Sequence, residues 1–209
     1  FGAFQCNLLL EGFYTRLNHV FVLEEIGKDE EHNAVIKERR NGQGAEVAGV
    51  TVEGKVAYLS LVQLQAGVTW QKSHYTRPEK WSKDSSVPAE KRIFRTPDWY
   101  GYFTATYSPV KPLNIALSGT YTGSMIVQHM KGYIPKDMAV TTPDFFDMNL
   151  KISYDFSLYK FITLQLNAGV QNIFNAYQRD FDQGKERDSG YIYGPSMPRS
   201  YFAGAKLMF

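Results

Sequence analysis

Between Gln71 and Arg95, the basic residues Lys72, Arg77, Lys80, Lys83, Lys91, Arg92 and Arg95 outnumber Glu79, Asp84 and Glu90. His74, Tyr75 and Trp81 lie among them. A basic segment of this kind attracts anions, because summed surface charge raises their local concentration. His74, Tyr75, Arg77, Lys80, Trp81 and Lys83 are therefore the candidate ligand contacts. The polar stretches 27–40 and 174–199 each balance to zero and carry no such bias.

Other chemistries lack their residues. His19, His32, His74 and His129 show no HxxxH or HxH spacing, and each reads as a loop or strand-end residue before a metal or haem ligand. Asp180, Asp182, Glu186 and Asp188 offer the oxygen ligands a calcium ion takes, but not at EF-hand spacing. Asp29-Glu30-Glu31 reads as a solvated hairpin tip. No nucleophile with its base, Gly-rich phosphate loop or framed pair of carboxylates is present, so the sequence offers no catalytic residue and no cofactor site, and an enzyme is not expected. Cys6, the single cysteine, excludes an internal disulfide or a cysteine-based zinc site and reads as a small strand residue.

Composition narrows the class. The chain has 209 residues, 44% hydrophobic and 15% aromatic, which excludes disorder. A net charge of +2 gives no bulk electrostatic case for a nucleic-acid partner. The chain opens Phe1-Gly2-Ala3-Phe4 with no initiator Met and no leader pattern. No apolar run reaches the roughly 20 residues of a membrane helix, which leaves a membrane β-barrel open, since barrel strands alternate.

Alternation is what the chain shows. Phe146, Met148, Leu150, Ile152, Tyr154 and Phe156 oppose Asp147, Asn149, Lys151, Ser153 and Asp155. Ile162, Leu164, Leu166, Ala168 and Val170 oppose Thr163, Gln165, Asn167, Gly169 and Gln171. A period of two over such lengths means half-buried strands. The pattern predicts nine of them, at 4–15, 19–26, 34–57, 62–77, 92–108, 111–127, 143–156, 160–173 and 199–209. The predicted class is all-β, antiparallel and transmembrane.

Connections alternate too. Short links fall at Arg16-Leu17-Asn18, Leu59-Ser60-Leu61, Pro109-Val110 and Ser157-Leu158-Tyr159, with long polar ones at 27–33, 78–91, 128–142 and 174–198. Tight turns at one end and long loops at the other mark an outer-membrane barrel. Trp70, Tyr75, Trp99, Tyr100, Tyr107, Tyr121, Tyr154 and Tyr159 gather near strand ends, as aromatic girdles do, although packing in a soluble sheet also accounts for some of them. The polar face is mainly Asn, Gln, Ser and Thr, which suits a wet lumen better than an open surface.

The C-terminal stretch is the specific signal. Asn172-Ile173-Phe174-Asn175 closes one strand, and Tyr193-Gly194-Pro195-Ser196-Met197-Pro198-Arg199 leads into a last strand ending at Phe209. With Gly49-Val50-Thr51-Val52-Glu53-Gly54, these motifs resemble TonB-dependent outer-membrane receptors, and the resemblance runs along essentially the whole chain. It implies barrels of about 22 strands closed by a plug. Residues 1–209 would then be the C-terminal segment of the barrel domain, with plug and remaining strands absent. It also implies that Tyr201, Leu207 and Phe209 form the signal read by the barrel-insertion machinery. If the last strand ends in the periplasm, 4–15, 34–57, 92–108, 143–156 and 199–209 run inward, and the long loops lie outside the cell.

The function implied is energy-coupled uptake of a scarce ligand across the bacterial outer membrane. The partners implied are outer-membrane lipid, a TonB coupling protein reached through the missing N-terminal region, and an extracellular ligand. A ferric siderophore ranks first, ahead of cobalamin, haem or a glycan. The basic segment suits such an anion, and equally the phosphates of surface lipopolysaccharide. A passive porin-like or structural barrel would carry the same alternation without a plug. A secreted all-β enzyme or carbohydrate-binding module is the remaining reading.

Overall fold

The computed structural model describes residues 3–32 and 34–209, with the side chains of Glu24 and Glu25 outside that description. Phe1 and Gly2 of the opening, and Asn33 at the end of the expected 27–33 loop, therefore fall outside it. The elements are all strands: β1 (Phe4–Leu17), β2 (Phe21–Asp29), β3 (Ala34–Asn41), β4 (Ala45–Tyr58), β5 (Val62–Glu79), β6 (Glu90–Arg92), β7 (Trp99–Val110), β8 (Leu113–Thr122), β9 (Ile126–His129), β10 (Met138–Thr141), β11 (Phe145–Tyr159), β12 (Ile162–Gln171) and β13 (Ser200–Met208).

One nine-stranded sheet runs β1-β4-β5-β7-β8-β11-β12-β13, with β6 attached to β5, while β2–β3 and β9–β10 form separate two-stranded ribbons. Every pairing between these strands is antiparallel. The register carries the alternation across the sheet. Cys6, Val56, Leu64, Ala105, Leu117, Leu150, Val170 and Tyr201 line up in one row over all eight strands of the path. Most of this face is open: Leu8, Leu10, Val52, Val68, Ile152 and Leu207 are all exposed. An apolar face of this extent is an interaction surface, not a normal water-facing one.

Several expectations are corrected. The stretch 111–127 is β8 and the start of β9, broken at 123–125, and the strand expected over 92–108 begins only at Trp99. The stretch 34–57 is two strands, β3 and β4, broken at Gly42–Gly44. The link Arg16-Leu17-Asn18 is not a turn. The β1–β4 register from Phe4↔Tyr58 to Leu17↔Ala45 resumes unshifted in β2–β3 at Phe21↔Asn41. Hydrogen bonds from Val20 N to Gln43 O (3.2 Å) and from Gly42 N to Val20 O (2.8 Å) bridge the gap. Residues 4–32 and 34–58 thus belong to one long hairpin whose far part, β2–β3, leaves the sheet as an arm. The expectation that 4–15 and 34–57 both run inward therefore fails, since β1 is antiparallel to β4. Of the other short connections, Leu59–Leu61 stands as expected, while Pro109-Val110 ends β7 and Ser157-Leu158-Tyr159 ends β11, the turns falling at Lys111–Pro112 and Lys160–Phe161; all three lie at one end of the sheet.

Several glycines sit under a ring from the directly paired residue of the next strand. Phe13 covers Gly49, Tyr102 covers Gly67, Phe103 covers Gly119 and Phe202 covers Gly169, each ring atom lying within 3 Å of where a Cβ would stand. The missing side chain makes room for the ring, and the ring covers the bare backbone.

Candidate functional site

The buried residues gather at the long-loop end. Ile126, Val127, Phe145, Tyr191, Ser82, His129, Asp137, Asn172 and Gln178 are each under 9% exposed. Segments 80–98, 123–144 (with β9–β10) and 172–199 pack there into one cap.

Asn172 closes the last segment. It takes a left-handed φ of 51°, which asparagine tolerates, and its side chain then bonds both ends of the loop. Its Nδ2 donates to Ala176 O (3.0 Å) and Met197 O (2.9 Å), and its Oδ1 accepts from Ala176 N (2.8 Å). Asn175, with φ 54°, accepts Arg199 N at 2.9 Å. Gln178, 1% exposed, donates to Tyr191 O (3.0 Å) and accepts Tyr193 N (2.9 Å).

The other two segments dock on this loop. The His129 ring stacks on Tyr191 at 3.7 Å and 8°, with Nε2 on the Asp182 carboxylate at 2.9 Å. Asp188 accepts Met130 N and Gly190 N, each at 2.8 Å. The Arg95 guanidinium donates to Ile192 O at 2.6 Å and to Gly190 O. Ser82 donates to Asp137 Oδ2 at 2.6 Å, and Lys131 N donates to Asp137 Oδ1 at 2.7 Å, joining the first two segments.

Asp180 receives both tyrosine hydroxyls, Tyr193 at 2.6 Å and Tyr191 at 2.8 Å. Burial opposes ionising this carboxyl, but the Tyr193 and Tyr191 hydrogen bonds outweigh it and hold it below its ordinary value. Burial, then the bond to Asp180, pushes Tyr191 up to about 12 and raises Tyr193 as well. A raised tyrosine means the folded cap retains protons that the unfolded chain releases near pH 10, so this stabilisation is complete below pH 10 and fades as pH rises toward 12. The depressed Asp180 acts at the other extreme, its contribution fading as pH falls through a value below 3.8. Absorbance titration near 295 nm should show a late-ionising pair that Asp180→Asn brings back toward pH 10.

The structure disperses the candidate contacts. His74, on β5, faces Glu46 at 3.6 Å, and Arg16 reaches the same carboxylate. Tyr75 is half-buried opposite Ala45. Trp81 turns into its own loop, with its indole N–H on Pro88 O (3.1 Å) and its ring edge against Phe94 (5.2 Å). Arg77, Lys80 and Lys83 are exposed, as is Lys91. Lys72 pairs with Asp98, Arg92 with Glu90, and buried Glu79 takes Arg40 at 3.4 Å and Gln43 N at 3.0 Å. Hydrogen bonds from Ser86 hold Asp84 below its ordinary value, and Lys131 and Lys136, which the sequence reading did not select, add a smaller attraction. No local pattern marks them. Their place comes from the cap's long-range packing.

The calcium reading of the last loop is not supported. Asp180, Asp182 and Asp188 are engaged by hydroxyls, a ring nitrogen and backbone amides, and no group of three or more potential metal ligands occurs among the described residues. Tyr201 and Leu207 share a face of β13, and Phe209 beyond it is 94% exposed. On the polar face, Tyr102 and Gln65 donate to Glu53, Thr51 meets Thr69 at 2.9 Å, and Gln65 and Gln165 tie neighbouring strands together.

Comparison with known proteins fits this architecture. Residues 4–173 match the family model "TonB dependent receptor-like, beta-barrel". Among solved structures, the chain resembles the ferric-catecholate import receptor Fiu of E. coli K12 (21% identity, TM-score 0.58), covering 96% of this chain and 25% of that one. The siderophore receptor PirA of Acinetobacter baumannii gives 17% identity and TM-score 0.59, over 98% of this chain and 30% of that one. The FrpB iron transporter of Neisseria meningitidis gives 14% and 0.56, over 98% and 29%. The chain thus spans less than a third of the length of these structures. Comparison with curated protein sequences finds no match. The sheet is a piece of a membrane β-barrel, and the chain belongs to the TonB-dependent receptor-like β-barrel family.

Proposed function

We propose that this chain is the C-terminal barrel segment of a bacterial outer-membrane receptor that takes up a scarce ligand, a ferric siderophore first. Plug and remaining strands belong to the rest of the receptor, and a TonB protein drives transport through them. The apolar face meets lipid, the cap faces the cell exterior, and Tyr201, Leu207 and Phe209 serve barrel assembly. The protein is a transporter and no enzyme.

The observation that carries the ligand reading is the set of exposed cations at the loop end, Arg77, Lys80, Lys83 and Lys91, on a family member whose structural neighbours include siderophore receptors. In this reading His74 and Tyr75 lie on β5, next to these cations in the chain, while Trp81 is held within its own loop by Pro88 and Phe94. Electrostatic attraction acts mainly on the rate of encounter. Changing Lys80, Lys83 and Lys91 to Glu in the whole receptor is expected to slow association of a ferric siderophore about tenfold at low ionic strength, with the difference shrinking in high salt. Association unchanged at low salt across a panel of ferric siderophores would sink the assignment. A plug-encoding stretch upstream separates this receptor from a porin-like barrel.

A further inference from the structure

We propose that the β2–β3 arm is a membrane foot, whose basic and apolar face rests on the phosphate-bearing lipid surface beside the barrel. Directly paired residues of an antiparallel ribbon share a face, and the face repeats every second residue. Phe21↔Asn41, Leu23↔Arg39, Glu25↔Lys37 and Lys28↔Val35 therefore define one side, with a shift at Ile26 keeping Lys28 on it. That side carries Phe21, Leu23 and Val35 with Lys28, Lys37 and Arg39, against the single acidic register position of Glu25. The other side holds Val22, Ile36, Asp29, Glu38 and Arg40, with Glu24 opposite Glu38. The arm is thus charge-segregated: Phe21–Asn41 as a whole is acidic, with Lys28, Lys37, Arg39 and Arg40 against Glu24, Glu25, Asp29, Glu30, Glu31 and Glu38, while three of its four cations fall on one side.

The apolar residues on the basic side lack cover. Phe21 is 71% exposed and Leu23 60%. A two-stranded ribbon is marginal in water without a surface for its apolar face. The arm is rooted where the sheet's open apolar face ends, just past exposed Tyr14 and Leu17, and Glu79 fixes that root through Arg40 and Gln43. A face combining exposed apolar side chains with cations matches anionic lipid, burying the first at the headgroup boundary and pairing the second with phosphate. This inference rests on the reading that the sheet's apolar face meets acyl chains.

The test uses the whole receptor reconstituted into bilayers, with Cys6→Ser and any other native cysteine removed, and a nitroxide on Leu23→Cys or on Val68→Cys of the sheet face. Accessibility to oxygen and to a water-soluble nickel chelate reports depth. In bilayers containing phosphatidylglycerol, the Leu23 label should reside at the lipid boundary. Adding Lys28→Glu, Lys37→Glu and Arg39→Glu should cut its lipid-associated fraction at least about tenfold. Glu38→Lys on the other side should leave it unchanged. A Val68 label in lipid with a Leu23 label in water overturns the foot alone. A Val68 label in water overturns the barrel reading and the foot with it. A Leu23 label in lipid but indifferent to charge reversal, or one protected only when an anionic siderophore is added, also overturns the proposal.

Discussion

Asn172→Ala is expected to release the 172–199 loop and to destabilise the cap by about 3–4 kcal/mol, from three lost side-chain hydrogen bonds at about 1 kcal/mol each and a left-handed backbone that alanine tolerates poorly. The residue is 4% exposed, so the carbonyls of Ala176 and Met197 lose partners that water does not readily replace. Asn172→Gly should recover about 1 kcal/mol by relieving the backbone alone. Asn172→Asp keeps the acceptor but sets a carboxylate against two carbonyls, and should be no better than alanine. Limited proteolysis between Asn175 and Arg199 is the direct measurement. Asn172→Ala left as resistant as the parent would remove this asparagine from its anchoring role.

Gly169→Val should open the β11–β12–β13 part of the sheet. A Cβ there would stand 2.3 Å from Leu150 O and 2.5 Å from the Phe202 ring. The ring can turn away, but the carbonyl belongs to the paired backbone of β11 and cannot move without parting the ladder. Overpacking of this kind costs about 3 kcal/mol or more. Gly54→Val is the matched control, on a strand with nothing within 4 Å of the added carbon, where valine should cost less than about 0.5 kcal/mol. The difference in detergent melting midpoint between the two variants tests whether the ring-over-glycine pairs set the strand contacts.

Alternation made most of the sheet legible, because a face that is apolar over eight strands writes itself into every strand at period two. It misled at Arg16-Leu17-Asn18. A kink with polar flanks looks like a turn in sequence, whereas the backbone passes through it, with His19 at a φ of 145°, and keeps its register. One false turn reverses the inferred direction of every strand before it, which is why 4–15 was misdirected. The Asn172-Ile173-Phe174-Asn175 motif was visible as a family resemblance, and its physical work, two left-handed asparagines stitching a loop shut, emerges only in three dimensions. The cap itself left no periodic trace. Its members, such as His129 and Tyr191, meet through packing between loops that no local pattern encodes.

Arg95 reaches across 97 residues to Ile192, and His129 across 53 to Asp182. Contacts so distant along the chain close late, since the intervening segment must first be brought round. The upper tier of this molecule is therefore expected to set after the strands that carry its three segments have paired, so its backbone amides should gain protection from exchange later than those of the sheet.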